Sequence, residues 1–196
     1  PLGLDAWIGL PDSEDGRVAR LRNSPLPTDP AELERLMLTI GPRTYGYRAL
    51  YLDGRLTMAG ENDFNRRAVR ATEMPGANGV TDARSLARMY AATIGEVDGV
   101  RLLDRDTMNA ARTQRVNGPD LTLLDDTRFG AGFWLHQATT PMIQDGSFGH
   151  PGAGGSLGFA NPELGIGYGY VMNQMGGGVT GDPRTIALND AVLACR

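Results

Sequence analysis

Between Thr28 and Gly41 apolar residues recur at helical spacing, with Leu33, Leu36, Met37 and Ile40 on one face. Thr28 or Asp29 can cap this helix, Pro30 suits its first turn, and Gly41-Pro42 stops it. Residues 42–62, rich in Gly and Tyr, keep no sustained period and predict a loop with room for one short helix. Asp63–Glu73 predicts a helix with Arg66, Arg67 and Arg70 outward. Beyond the loop Met74–Gly79, a stronger helical pattern starts at Thr81 or Asp82. It carries Leu86, Met89, Tyr90 and Ile94 on one stripe and ends near Gly95. A short helix over Asp104–Gln114 follows the Asp98-Gly99 turn.

From about Arg128 the pattern changes to that of strands. Gly130–Gln137, Gly155–Ala160 and Ile166–Asn173 read as strands, the last alternating through Ile166, Tyr168, Tyr170 and Met172. Asn161–Gly165 is a hairpin connection, and Gly176–Gly181 breaks the chain again. Asp182-Pro183 then caps a closing helix with Leu188, Ala191, Val192 and Cys195 on one stripe. The expected fold class is α+β: a helical segment, then antiparallel strands, then a C-terminal helix. Two divisions are expected, a mostly helical segment over residues 1–125 and a strand meander with its terminal helix over 126–196. A meander of only three strands leaves an outer edge of unpaired N–H and C=O groups. That edge calls for a partner, either a missing amino-terminal segment or a second chain. The start on Pro1 rather than Met, in mid-pattern, points the same way.

Composition narrows the function classes. The 196 residues are 41% hydrophobic and 21% charged with a net charge of −4, as expected of a soluble globular protein. Arginines are dispersed, which argues against nucleic acid as a partner. There is no run long enough for a membrane span and no basic-then-apolar leader, so the expectation is a soluble protein, cytoplasmic in preference to secreted. Cys195 is the only cysteine, so no internal disulfide or cysteine zinc site can form. All 19 basic residues are Arg; without lysine, a lysine base or Schiff base is excluded within these residues.

Few residues could carry chemistry. His136 sits in the strand-like Phe133–His136 and reads as a sheet histidine with a local hydrogen bond. His150 precedes Pro151-Gly152-Ala153-Gly154-Gly155-Ser156, small residues that let a ligand approach the backbone; an incidental imidazole on a Gly-rich edge is the competing reading. Gly154–Gly158 matches the G-x-S-x-G elbow, yet a strand follows Ser156 where the elbow needs a helix, and both histidines precede it. Ser156 is therefore not expected to be a nucleophile. The same run lacks the lysine and the helix of a phosphate loop. Two histidines 14 positions apart, with no clustered carboxylates, offer no metal-ligand spacing, and no cofactor is expected.

The run Phe148–Glu163, followed by Gly167–Asn173, resembles the third-motif strand and following hairpin of serine β-lactamase-like esterases, relatives of class C β-lactamases and penicillin-binding proteins. Pro75–Tyr90 is similar to the loop and helix before their final sheet, and Pro1–Asp5 with Trp7–Pro11 resembles the segment after their second motif. The resemblance implies part of the β-lactamase/transpeptidase-like fold, with residues 1–125 in its helical lobe and 126–196 in its α/β lobe. It implies the carboxy-terminal portion of a serine hydrolase acting on carboxylic esters through an acyl-enzyme. The family's Ser-x-x-Lys helix and tyrosine motif have no counterpart in this chain. Of the three motifs only the Lys-Thr-Gly-type strand remains, as His150-Pro151-Gly152, and the resemblance makes the Ala153 N–H one half of an oxyanion hole. An imidazole in place of the lysine is largely neutral above about pH 7 and offers one donor, which favours small uncharged esters over β-lactams. The implied partners are an amino-terminal half of the same protein and a small ester substrate. The alternative is a non-catalytic remnant that binds ligands or partners in the old cleft.

Overall fold

Glycines decide how helix and sheet meet in this chain. The computed structural model describes residues 1–57 and 60–195; residues 58 and 59, inside the expected loop 42–62, and residue 196, at the end of the expected closing segment, lie outside the described residues. In chain order the elements are β1 (Ala6–Trp7), a 3-10 turn (Asp12–Arg17), α1 (Pro30–Ile40), α2 (Tyr45–Leu50), a second 3-10 turn (Asp63–Asn65), α3 (Arg67–Ala71), β2 (Val80–Thr81), α4 (Ala83–Ile94) and α5 (Arg105–Arg112). There follow β3 (Val116–Pro119), β4 (Asp126–Phe129), β5 (Trp134–Leu135), β6 (Phe148–Pro151), β7 (Leu157–Asn161), β8 (Ile166–Tyr170) and α6 (Pro183–Ala194). Strands β3 to β8 form one antiparallel sheet in chain order, and β1 pairs with β2 apart from it.

The helix boundaries follow their caps. The side chains of Asp29, Asp82, Asp104 and Asp182 each accept a backbone N–H in the first turn of α1, α4, α5 and α6. Gly41 and Gly95 end α1 and α4, with their N–H groups donating to Met37 and Ala91 carbonyls. At Gly41 a Cβ would stand 2.2 Å from the Met37 oxygen, so only glycine fits.

Helix α4 lies on β7 and β8 through a row of missing side chains. A Cβ at Gly167 would stand 2.4 Å from the Ala91 nitrogen, one at Gly169 2.4 Å from the Ala83 oxygen, and one at Gly158 2.4 Å from the Tyr90 ring. The pattern Ile-Gly-Tyr-Gly-Tyr in β8 thus sends its bulky residues to one face and leaves the other bare for the helix backbone. On the α4 side Tyr90, Met108, Leu135, Phe148 and Ala160 form one core cluster. On the other, Trp134, Met142, Ile143, Leu157 and Phe159 form a second, covered by Tyr168 and by Val192 of α6. Phe148 and Phe159 are fully buried, and each such side chain stabilises the fold by about 1.5–3 kcal/mol.

Several expectations are corrected. The sheet has six strands rather than three. β3 and β4 (Val-Asn-Gly-Pro and Asp-Thr-Arg-Phe) lack apolar alternation because they form an edge hairpin with much of both faces wet. β6 is interrupted by Gly149 and Pro151. The 125/126 division falls inside this hairpin, where Asn117 pairs with Arg128, so strand pairing crosses it. The expected helix over Asp63–Glu73 is a 3-10 turn and a single short helix. Arg67 and Arg70 turn inward from it onto the Asp12–Arg17 turn, Arg70 lying 2.5 Å from Asp15. In α6 the line facing the sheet is Thr185, Asn189 and Val192, at i, i+4 and i+7, which leaves Leu188 43% exposed. The stripe expected through Leu188, Ala191 and Cys195 lies to one side of that line, open to solvent.

β8 forms one edge of the sheet and β3 the other, and no further strand among the described residues pairs with either. The close helix–sheet approach predicts that Gly167→Ala lowers stability by about 1–3 kcal/mol, the usual cost of overpacking. Gly79→Ala, at a position with nothing within 4 Å, should change it by less than about 0.5 kcal/mol. Urea midpoints of the two variants check this.

Candidate functional site

β6 carries His150 to the end of the sheet, opposite Gly158 of β7, and leaves its side chain exposed. The imidazole stands edge-on to the Trp134 ring, centroids 6.0 Å apart. Its Nδ1 lies 2.6 Å from the Pro151 carbonyl oxygen. That oxygen can only accept, so Nδ1 carries the proton, and a neutral ring presents Nε2 outward as an acceptor. Behind the ring, the His150 backbone N–H faces the hydroxyl of Tyr90, whose phenol burial pushes up to about 12 despite that donor.

After Pro151 the chain turns on itself. The Gly152 N–H donates to the Ser156 carbonyl at 2.7 Å, the Gly155 N–H to Gly152 at 3.0 Å, and the Gly154 N–H to Gly178 at 2.8 Å. The Ala153 N–H makes no hydrogen bond among the described residues, and the residue is exposed. Gly154 and Gly155 adopt φ of +83° and +105°, which side chains rarely tolerate, and a Cβ on Gly152 would stand 2.2 Å from the Ser156 hydroxyl. The turn therefore ties the Gly152, Gly154 and Gly155 amides to carbonyls and leaves the Ala153 N–H without a partner among the described residues, three positions after an exposed imidazole. His150, Gly152 and Ala153 are brought together. Ser156 leads straight into β7, and neither histidine bonds its hydroxyl.

His136 has a different setting. Its Nδ1 accepts the Met142 N–H at 3.1 Å, closing the loop after β5. Burial lowers its pKa, with Asp145 opposing and Arg128 adding to the shift. Two open clefts, of about 300 and 330 Å³, flank α5; His136, Arg112 and Arg128 line the first, and Arg101, Arg105 and Glu163 the second. Neither is lined by His150, Gly152 or Ala153. Among the described residues no group of three or more His, Cys, Asp or Glu could hold a metal, and no helix is long and apolar enough to cross a membrane.

The beta-lactamase family model matches residues 1–193. The chain belongs to the beta-lactamase family. This beta-lactamase-family chain is 37% identical over 134 residues to the esterase/beta-lactamase LipL of Mycobacterium tuberculosis (strain ATCC 25618 / H37Rv), covering 66% of the chain and 29% of the relative. Among solved structures it resembles a family VIII carboxylesterase (33% identity, TM-score 0.77), with all of the chain and 49% of that protein covered. It also resembles EstA from Arthrobacter nitroguajacolicus Rue61a (31%, TM-score 0.79), over 97% of the chain and 49% of EstA. A penicillin-binding protein homologue from Caulobacter crescentus (34%, TM-score 0.77) matches all of the chain over 50% of its own. The chain thus spans about half the length of these solved relatives and shares the β-lactamase/transpeptidase-like fold.

Residue patterns alone missed four contributors to this corner. Tyr90 reads as one apolar position in a helical stripe and Asp182 as a cap, while nothing in the pattern singles out Arg184 or Gln174. Only tertiary contact brings them to the turn.

The His136 setting yields a pH prediction. Its folded pKa lies below the ordinary value of about 6.5, so on acidification the unfolded chain takes up a proton that the folded chain refuses, and stability falls. His136→Asn keeps an acceptor for Met142 and removes the titration. From pH 7.5 to 5.5, the wild type should lose more stability than this variant in urea titrations.

Proposed function

We propose that the chain supplies one wall of the acyl-transfer pocket of a serine hydrolase acting on carboxylic esters, with nucleophile, lysine and tyrosine base contributed by residues outside these 196. One observation carries this reading: the Ala153 N–H has no partner among the described residues, in an exposed turn that follows exposed His150, whereas the Gly152, Gly154 and Gly155 amides are each bonded. A preorganised donor of this kind stabilises a tetrahedral oxyanion when a second N–H stands opposite, and the N–H of the attacking serine fills that role. The chain has no lysine, so Ser-x-x-Lys must come from elsewhere. The unpaired edge of β8 and exposed Leu188 and Leu193 of α6 are the surfaces on which an amino-terminal half of the protein seats.

In this site the serine attacks the ester carbonyl, its proton passing to the tyrosine or lysine base. Negative charge collects on the carbonyl oxygen between the two N–H groups, and the alcohol leaves to give an acyl-enzyme that water then cleaves. His150, its Nδ1 engaged with the Pro151 carbonyl, stands at the cleft wall in the place of the ammonium that the resemblance implies would hold a substrate carboxylate. Uncharged acyl groups fit that wall better than β-lactams. The carboxylesterase relative supports the ester class, whereas the name of LipL joins esterase with beta-lactamase, so the two activities need separating by measurement.

A serine-directed fluorophosphonate probe tests the assignment. The polypeptide that joins this chain to its upstream reading frame should be labelled, and should remain so after Ser156→Ala; the 196-residue chain alone should stay unlabelled. Stoichiometric labelling of the chain alone contradicts the reading, and a folded longer polypeptide that resists the probe points to a non-catalytic remnant. In the labelled form, kcat/KM for a short p-nitrophenyl ester should exceed that for nitrocefin. His150→Lys should narrow the gap by about tenfold, the scale of one charge-assisted hydrogen bond.

A further inference from the structure

The turn that exposes the Ala153 N–H is not self-supporting. At the next residue, the Gly154 carbonyl accepts from the Gly176 N–H at 2.7 Å and from Arg184 Nη2 at 2.8 Å. Arg184 Nη1 donates to the Gln174 carbonyl at 2.7 Å, so one guanidinium spans the glycine turn and the segment leaving β8. Asp182 fixes that guanidinium by a two-point bond, Nε to Oδ1 at 2.9 Å and Nη2 to Oδ2 at 2.7 Å, with its carboxylate side chain only 8% exposed. Asp182 also caps α6 through the Arg184 N–H, and Tyr170 stacks its ring 6.0 Å from the guanidinium carbon.

The fit is steric as well as polar. A Cβ on Gly155 would stand 2.2 Å from Asp182 Oδ2 and 3.0 Å from Arg184 Nη2, and one on Gly176 2.3 Å from the same carboxylate oxygen. Gln174 and Met175 are tied in turn to Arg22 and Asn23, through Met175 N–H to the Arg22 carbonyl at 2.9 Å and Gln174 Nε2 to the Asn23 carbonyl at 3.1 Å. A planar fork locked on one side by a carboxylate has little freedom left, so whatever it holds on the other side is held in place.

We propose that Arg184, locked by Asp182, is a positioning residue that sets the Ala153 N–H at the height the developing oxyanion requires. The inference rests on the ester-hydrolase reading above, since it concerns the same half-site. Arg184 touches no substrate; it acts through Gly154. Lysine cannot replace it, because an ammonium cannot reach Gly154, Gln174 and both Asp182 oxygens in the fork's fixed geometry.

Arg184→Lys and Arg184→Ala in the longer, ester-cleaving polypeptide provide the test. A displacement of the donor by a fraction of an ångström to 1 Å should lower kcat by about 10–100-fold. KM should stay within about twofold. Affinity for a boronic acid, which forms a tetrahedral adduct, should fall in step with kcat, and millimolar guanidinium should restore part of the activity of Arg184→Ala. Gly155→Ala, which crowds both the Asp182 carboxylate and the Arg184 guanidinium, should show the same split. Unchanged kcat and boronate affinity in folded Arg184→Lys would overturn the inference, as would a loss of kcat with boronate affinity intact. If wild type itself cleaves no ester, the ester-hydrolase reading fails instead. Amide exchange in the 196-residue chain then tests the clamp alone: Gly176 N–H, bonded to Gly154, should exchange faster in Arg184→Lys, and an unchanged rate counts against the clamp.

Discussion

Helix α4 can reach the sheet only because β7 and β8 offer it a surface with no side chains. Cβ atoms at Gly158, Gly167 and Gly169 would each stand 2.4 Å from an atom of α4. Direct backbone contact of this kind has no slack, since interiors are packed to crystal density and a single added methyl must displace a helix or a strand. It also has a direction. By keeping the α4 face of β8 bare, the glycines send Tyr168 to the opposite face, where its ring stacks on Phe159 at 4.7 Å. The two cores on either side of the sheet follow from that partition.

The same constraint positions the site. Tyr90, packed over Gly158, brings its hydroxyl towards the backbone of His150 at the end of β6. From there Pro151 leads into the glycine turn, where the Gly152, Gly155 and Gly154 N–H groups are taken by the Ser156, Gly152 and Gly178 carbonyls and the Ala153 N–H is not. Helix α6 closes the arrangement from the far side through Asp182 and Arg184. The proposed half-site thus rests on a backbone donor next to strands held by helices on both faces, which is where a preorganised dipole costs least at the moment of reaction.

Much of this was legible in residue order, for identifiable reasons. The four long helices each announce themselves by an aspartate cap, because a side-chain acceptor at that place is a local event. The alternation in β8 marked a strand, but the purpose of its glycines shows only when a helix lies on them. β3 and β4 were hidden because a wet edge hairpin needs no apolar alternation, and the shift of the α6 face arose because Thr185 and Asn189, polar residues, point inward. Arg70 looked solvent-facing because its partner Asp15 is 55 positions away. At the site, the density of small residues after His150 signalled close backbone approach. Which amide stays free depends on carbonyls as remote as Gly178, and that is tertiary information.

The account stands or falls on where a tetrahedral adduct places its oxygen. A crystal structure of the longer polypeptide after reaction with an alkylphosphonate is the direct measurement. The phosphoryl oxygen should lie about 2.7–3.1 Å from the Ala153 nitrogen, opposite the N–H of a serine outside residues 1–196. Phosphorus bonded to Ser156, or an oxygen turned away from Ala153 into solvent, would contradict it.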